Sequence, residues 1–253
     1  MNIPILLINL NESKERLEHS RREFLKFGIL HFQRMEAVDG RRIAKKVLDS
    51  IAPPDACAFY KPLSPGEVGC YLSHVAAAER IVKEGWPYAL VFEDDFCLAP
   101  DFSSVIEEML QSFPSNRHLI KLQGCVSGGN SILTFKSGHG LMENRKVPAR
   151  TISLLWTQEG AKLFLDSARV PRRPIDVQIK YWWEIGLNVS YINPPIVLDG
   201  DAKGLTSTIG SLRPRGFMPW IKRIKYQANF TYLSHKNYLR KAGLVSWLRG
   251  LVG

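Results

Sequence analysis

Apolar and polar positions alternate along the first two hundred residues in runs that fit strands and helices by turns. Residues 3 to 9 form a short apolar run closed by Asn9, the pattern of a core strand. From Lys14 to Phe27, Leu17, Phe24 and Phe27 fall on one side and Gly28 follows, which predicts a helix and its stop. His31 to Ala37 reads as extended, and Val38-Asp39-Gly40 supplies a turn. Ser64-Pro65-Gly66-Glu67 combines an N-cap, a proline at the first helical position and the acid of a capping box. The helix that starts there is predicted to run to about Glu84, closed by Gly85 with Pro87 just beyond.

A second core strand is predicted from Tyr88 into Glu93. A helix follows from Phe102 to Phe113, and a strand from His118 to Leu122. Gly124 to Gly140, rich in Gly and Ser, reads as loop with an irregular hairpin. Ala149 to Trp156 returns to strand, Thr157 opens a helix ending near Ala168, and Leu187 to Ile192 is a last strand. Such alternation implies an α/β sandwich with a mostly parallel sheet flanked by helices.

The chain has 253 residues, 45% of them hydrophobic, enough for one large domain with a core. Charge changes the picture more than composition does. Of 34 Lys and Arg and 24 Asp and Glu, residues 1–201 hold 24 of each, while residues 202–253 hold 10 bases and no acid. The chain therefore divides into a neutral domain over 1–205 and a basic, aromatic tail over 206–253. A neutral body with a basic tail favours a localised anionic partner, and residues 211–253 are expected to contact an anionic membrane surface rather than nucleic acid, with a helix packed on the domain and a solvated basic face as the structural alternative. No apolar run approaches the ~20 residues of a membrane span, and no secretory leader is evident. Cys57, Cys70, Cys97 and Cys125 form no C-x-x-C pair and read as reduced, mostly buried thiols. These features predict a cytoplasmic protein, peripheral on the inner face of a membrane.

The chemistry centres on Glu93-Asp94-Asp95, three carboxylates at the end of an apolar strand. Like charges in a row repel, and a hard divalent cation relieves them. Ligands of open α/β sheets bind beyond the carboxyl ends of the strands, where this trio falls. A solvated acidic turn is the plain alternative. Strand alternation puts Glu93 and Asp95 on one face and Asp94 on the other. Asp95 is the expected metal ligand, and Glu93 a contact to the ion or to a ribose.

An ordered set of motifs surrounds the trio. It comprises Ile8-Asn9-Leu10 with Arg16, Ala37-Val38-Asp39-Gly40, Leu63-Ser64-Pro65-Gly66-Glu67-Val68-Gly69-Cys70, Leu72-Ser73-His74 and Val91-Phe92-Glu93-Asp94-Asp95. Trp156-Thr157-Gln158-Glu159-Gly160-Ala161 and Pro174-Ile175-Asp176 follow. Over roughly residues 3–200 the chain resembles glycosyltransferase family 25, the lipopolysaccharide and lipooligosaccharide glycosyltransferases. It departs where Leu154-Leu155-Trp156-Thr157 stands in place of the family's Tyr-x-Ile-Ser. The resemblance implies a GT-A-like fold, a UDP-sugar donor, often UDP-galactose, a Mn²⁺ or Mg²⁺ ion, inversion at the anomeric carbon and a lipid-linked saccharide acceptor.

Each remaining candidate has a structural alternative. Asn9 ends the first strand, a nucleotide-binding position, and is equally a turn residue. Arg16 could reach a phosphate with its planar fork, or pair with Glu12 on its helix. Asp39 could bond uracil or ribose, or simply form its turn. His74 lies beside the donor site in the family pattern, though a helical histidine is often structural. Lys121, after a strand, could line the donor pocket with Gln123. Asp176, in a Pro-flanked loop, is the candidate general base or acceptor contact, with a helix cap as the alternative. A metal-dependent phosphohydrolase using the same trio, and a nucleic-acid-binding protein using the tail, are the rival classes.

Overall fold

The computed structural model describes residues 3–124, 126–200 and 217–252. The elements run β1 (Ile5–Asn9), α1 (Lys14–Lys26), β2 (Gln33–Glu36), α2 (Lys45–Ile51), α3 (Pro65–Glu84), β3 (Tyr88–Glu93), β4 (Phe96–Leu98), α4 (Phe102–Gln111) and β5 (Leu119–Lys121). They continue β6 (Asn130–Thr134), β7 (Gly140–Glu143), β8 (Ser153–Thr157), α5 (Gln158–Ala168), α6 (Ile175–Lys180), α7 (Trp182–Ile185), β9 (Val189–Asn193), β10 (Val197–Asp199) and α8 (Phe217–Val252).

Eight strands form one sheet in the order β2-β1-β3-β8-β5-β9-β7-β6, and β4 pairs with β10 in a small second sheet. Six of the eight point the same way. β8 and β7 are reversed, each antiparallel to both of its neighbours. The sheet is thus mostly parallel, as the alternation of elements predicts.

Strand periodicity sorts the sheet's side chains into two cores. Leu6, Ile8, Ala89, Val91, Leu154 and Trp156 face α3, α5, α6 and α7. Ile5, Leu7, Leu90, Phe92, Ile120 and Leu155 face α1 and α4. The central strands β1, β3 and β8 are largely apolar on both faces because both faces are covered.

The capping box on α3 is present in full: Ser64 Oγ accepts from Glu67 N, and the Glu67 carboxylate accepts from Ser64 N at 2.7 Å. Gly85 closes α3 with φ 69°. The expected irregular hairpin is β6–β7, with a register shift between Ser131 and Leu133. Two details differ from expectation. Asp176 lies in the first turn of α6 rather than in a loop. Among the described cysteines Cys97 is buried, while Cys57 and Cys70 are half-buried. The structural alternative for the tail is present: α8 packs on the domain, where Tyr238 is buried and accepts from Asn130 Nδ2, and Ser234 Oγ donates to the Arg145 carbonyl. The expected boundary at 205/206 and Cys125 lie outside the described residues.

Candidate active site

The acidic trio straddles the end of β3. Glu93 closes the strand, and Asp94 and Asp95 make the turn into β4. The β1 neighbour brings Asn9 to the same edge, since Ile8 pairs with Glu93 and Asn9 with Glu36 of β2. Alternation holds across the turn, because the first two carboxylates go opposite ways.

Glu93 Oε1 accepts from Thr151 Oγ1 at 2.5 Å and lies 3.0 Å from His74 Nε2. Burial pushes its pKa up, but the bonds from His74 and Thr151 and the field of Lys121 outweigh burial and hold the carboxyl below its ordinary range. Toward an ionised Glu93, the His74 Nε2–H is the donor. Asp94 turns instead to the β1 side, accepting from Asn9 Nδ2 at 2.6 Å and Arg16 Nη1 at 2.8 Å. Burial raises the Asp94 pKa, and Asn9 and Arg16 oppose it. Asn9 also donates to the Ser13 carbonyl and accepts from Arg34 Nε, so it braces the strand end. The expected Arg16–Glu12 alternative is not what forms: Glu12 pairs with Arg42.

Two open clefts meet at this edge. The first is bordered by Leu10, Arg16, Val38, Asp39, Arg41 and the whole trio. The second is bordered by Glu67, Arg150, Thr151, Pro174 and Asp176. Cys70, Glu93 and Asp95 border both.

The wall of the first cleft depends on two glycines. A Cβ on Gly40 would lie 1.8 Å from the Pro65 carbonyl oxygen, and one on Gly69 2.3 Å from that of Val38. Backbone-to-backbone contact therefore seats the Val38-Asp39-Gly40 turn on the first turns of α3. Ser73 Oγ completes the joint, accepting from Val38 N at 2.9 Å and donating to the Gly69 carbonyl. Asp39 caps this turn and grips Arg41 through Nε and Nη2, both at 2.8 Å, which holds its pKa below the ordinary value.

The wall of the second cleft was not legible beforehand. Lys121 is fully buried and borders neither cleft. Its Nζ donates to the carbonyls of Pro148 (2.7 Å), Ala149 (3.3 Å) and Arg150. Burial draws its pKa down to about 7, against the pull of Asp176 and Glu93. Gln123 reinforces the same loop, donating to the Arg150 carbonyl and accepting from Ser153 N. The loop presents Arg150, at φ 63°, and Thr151 to the cleft. Asp176 accepts from Arg150 N at 3.3 Å and faces the acidic pair across that cleft. Nothing local in the sequence marks Arg150 or Thr151.

Glu93 and Asp95 border both clefts, and carboxylate oxygens are the donor type that a hard divalent cation takes. Cys70 Sγ, His74 Nε2 and a Glu93 oxygen also lie within 4.8 Å of one another, a donor set for a softer ion. But a metal-bound histidine donates its other N–H to an acceptor, and the buried His74 Nδ1 has no such partner among the described residues. His74 serves better as the donor that fixes Glu93.

The model of glycosyltransferase family 25, described as an LPS biosynthesis protein family, matches residues 2–179. The chain belongs to that family. The matched span holds the trio, both clefts and Asp176, and stops before β9, β10 and α8. A family 25 member from Anopheles gambiae is 38% identical over 103 residues, covering 39% of this chain and 17% of that one. An inactive family 25 member 3 from Mus musculus is 26% identical over 206 residues, 70% of this chain and 34% of that one. A lipooligosaccharide biosynthesis protein from Haemophilus influenzae is 26% identical over 102 residues, 40% of this chain and 37% of that one. The chain thus spans well under half the length of each of these three relatives. A glycosyltransferase involved in glycosylation of the PBCV-1 major capsid resembles it with a TM-score of 0.45 and 10% identity, over 90% of this chain and 98% of that one.

Proposed function

We propose that the protein is a metal-dependent, inverting hexosyltransferase. It would move a sugar, with galactose the first candidate, from a UDP donor to a lipid-linked core saccharide of lipopolysaccharide or lipooligosaccharide. The observation that supports this is the pair Glu93 and Asp95 standing between two clefts. Transfer needs a donor on one side of the reacting carbon and an acceptor on the other, and inversion needs the acceptor to attack from opposite the leaving group.

The first cleft suits the nucleotide. Asp39, on its wall, would bond a ribose or base, and the Arg16 and Arg41 guanidiniums would supply positive charge for the phosphates. Mn²⁺ or Mg²⁺ held by Glu93 and Asp95 would supply the charge that the pyrophosphate leaving group needs. His74 and Thr151 keep Glu93 ionised and aimed. Asp176, on the second cleft, takes the proton of the acceptor hydroxyl as general base. Lys121 and Gln123 hold the loop that carries Arg150 and Thr151, and so act through the second cleft's wall.

The test is transfer from labelled UDP-galactose to a truncated lipooligosaccharide. Asp176→Asn is expected to lower kcat by at least about a hundredfold while UDP affinity stays near wild type. Release of inorganic phosphate without an acceptor would instead support the phosphohydrolase reading.

A further inference from the structure

Helix α8 carries a second stripe that stands largely exposed among the described residues. Its packed side is Tyr226, Phe230, Ser234 and Tyr238, at intervals of four residues. Tyr226 touches Phe59, Tyr60 and Tyr181, Phe230 touches Tyr181 and Trp183, and Ser234 and Tyr238 are buried. Two residues round the helix, roughly 200° away, a parallel series follows the same spacing: Trp220, Ile224, Ala228 and Tyr232, with Leu239 seven residues on. Trp220 is 56% exposed, Ile224 46% and Tyr232 61%. Past the break at Gly243, Leu244, Val245 and Leu248 continue the exposed apolar surface.

The charges on this helix are all of one sign. Residues 217–252 contain seven Lys and Arg and no Asp or Glu. Lys225, Lys236 and Arg240 flank one side of the stripe and are exposed. Leucine and tryptophan beside a row of bases match the boundary between anionic headgroups and acyl chains. Duplex nucleic acid would use the bases but leave the apolar stripe in water. No helix among the described residues is long and apolar enough to cross a membrane.

We infer that this outer stripe of α8, from Trp220 to Leu248, seats the enzyme on an anionic lipid bilayer. The inference deepens the proposed function, since a lipid-linked acceptor lies on such a surface, but the contact is measured without transfer. The inner stripe joins α8 to the domain, so lipid contact on one side and the fold on the other use different residues.

The test is co-sedimentation of the full chain with phosphatidylglycerol-rich vesicles and with pure phosphatidylcholine vesicles. Binding is expected to the first and not the second, and to weaken with salt. Each base near an anionic surface shifts partitioning by roughly fivefold, so Lys225→Glu with Lys236→Glu and Arg240→Glu should lower it by about a hundredfold or more. Ile224→Ser with Leu239→Ser should weaken binding without changing its lipid selectivity. Both variants are expected to keep UDP binding and transfer to a soluble acceptor. Equal binding to both vesicle types, no binding to either, or an unaffected triple variant overturns the inference. So does a dimer that Ile224→Ser with Leu239→Ser dissociates, or duplex DNA competing the protein off vesicles. If vesicle binding fails while transfer persists, the membrane seat alone is wrong. If transfer fails while vesicle binding persists, the transferase reading is wrong.

Discussion

His74 Nε2 on α3 stands 3.0 Å from Glu93 Oε1 at the end of β3. The two residues are 19 apart in sequence, and the bond joins the 20-residue helix α3 to one of the two acids that border both clefts. On the proposed function His74 is a positioning residue, which would act on the metal and donor through Glu93. His74→Ala is expected to lower transfer and Mn²⁺ affinity by about 10- to 100-fold. His74→Gln, whose amide can donate to the same oxygen, should recover much of both. A stability measurement on the same variants separates this role from a purely structural one.

Asp94 is predicted to behave unlike its neighbours. Its carboxylate holds Asn9 and Arg16, and so fixes the end of β1 and the start of α1. Asp94→Ala leaves the Arg16 guanidinium without that carboxylate in a largely buried setting, which should cost about 3 kcal/mol. Urea unfolding checks this. Asp95→Asn should leave stability nearly unchanged while abolishing metal-dependent binding.

These contrasts show what the sequence could and could not reveal. The trio, the α3 capping box, the Val38-Asp39-Gly40 turn and the alternating elements are local patterns, and local patterns are readable. The partners of the trio are not local: Arg16 meets Asp94 across 78 residues, and Thr151 meets Glu93 across 58. The latter contact exists because β8 enters antiparallel between β3 and β5, bringing the loop before it to the site. No periodicity announces that insertion. Lys121 reads as a residue at a strand end and proves to be buried under that loop.

Gly40 and Gly69 should be nearly intolerant of a side chain. Alanine at either meets backbone oxygen at under 2.5 Å, which no rotamer can relieve. Each substitution should lower stability by about 3 kcal/mol or more and open the first cleft. Thermal unfolding, together with loss of UDP binding, measures both effects.

Lys121 gives stability a pH dependence of definite sign. Its folded pKa is about 7, below the ordinary lysine value of 10.5. Between those values the unfolded chain holds the extra proton, so stability rises with pH and falls on return toward 7. Wild type should gain roughly 2 kcal/mol between pH 7 and 9 from this group. Lys121→Met should flatten that slope, as chemical denaturation at each pH would record.

The central claim is that Glu93 and Asp95 hold a divalent cation beside a nucleotide cleft. Calorimetric titration of UDP into the protein, with and without Mn²⁺, tests it most directly. The account predicts binding that requires Mn²⁺ and is lost in Asp95→Asn, a variant that stays folded. UDP binding that ignores both Mn²⁺ and Asp95→Asn, or no binding in either condition, would contradict it.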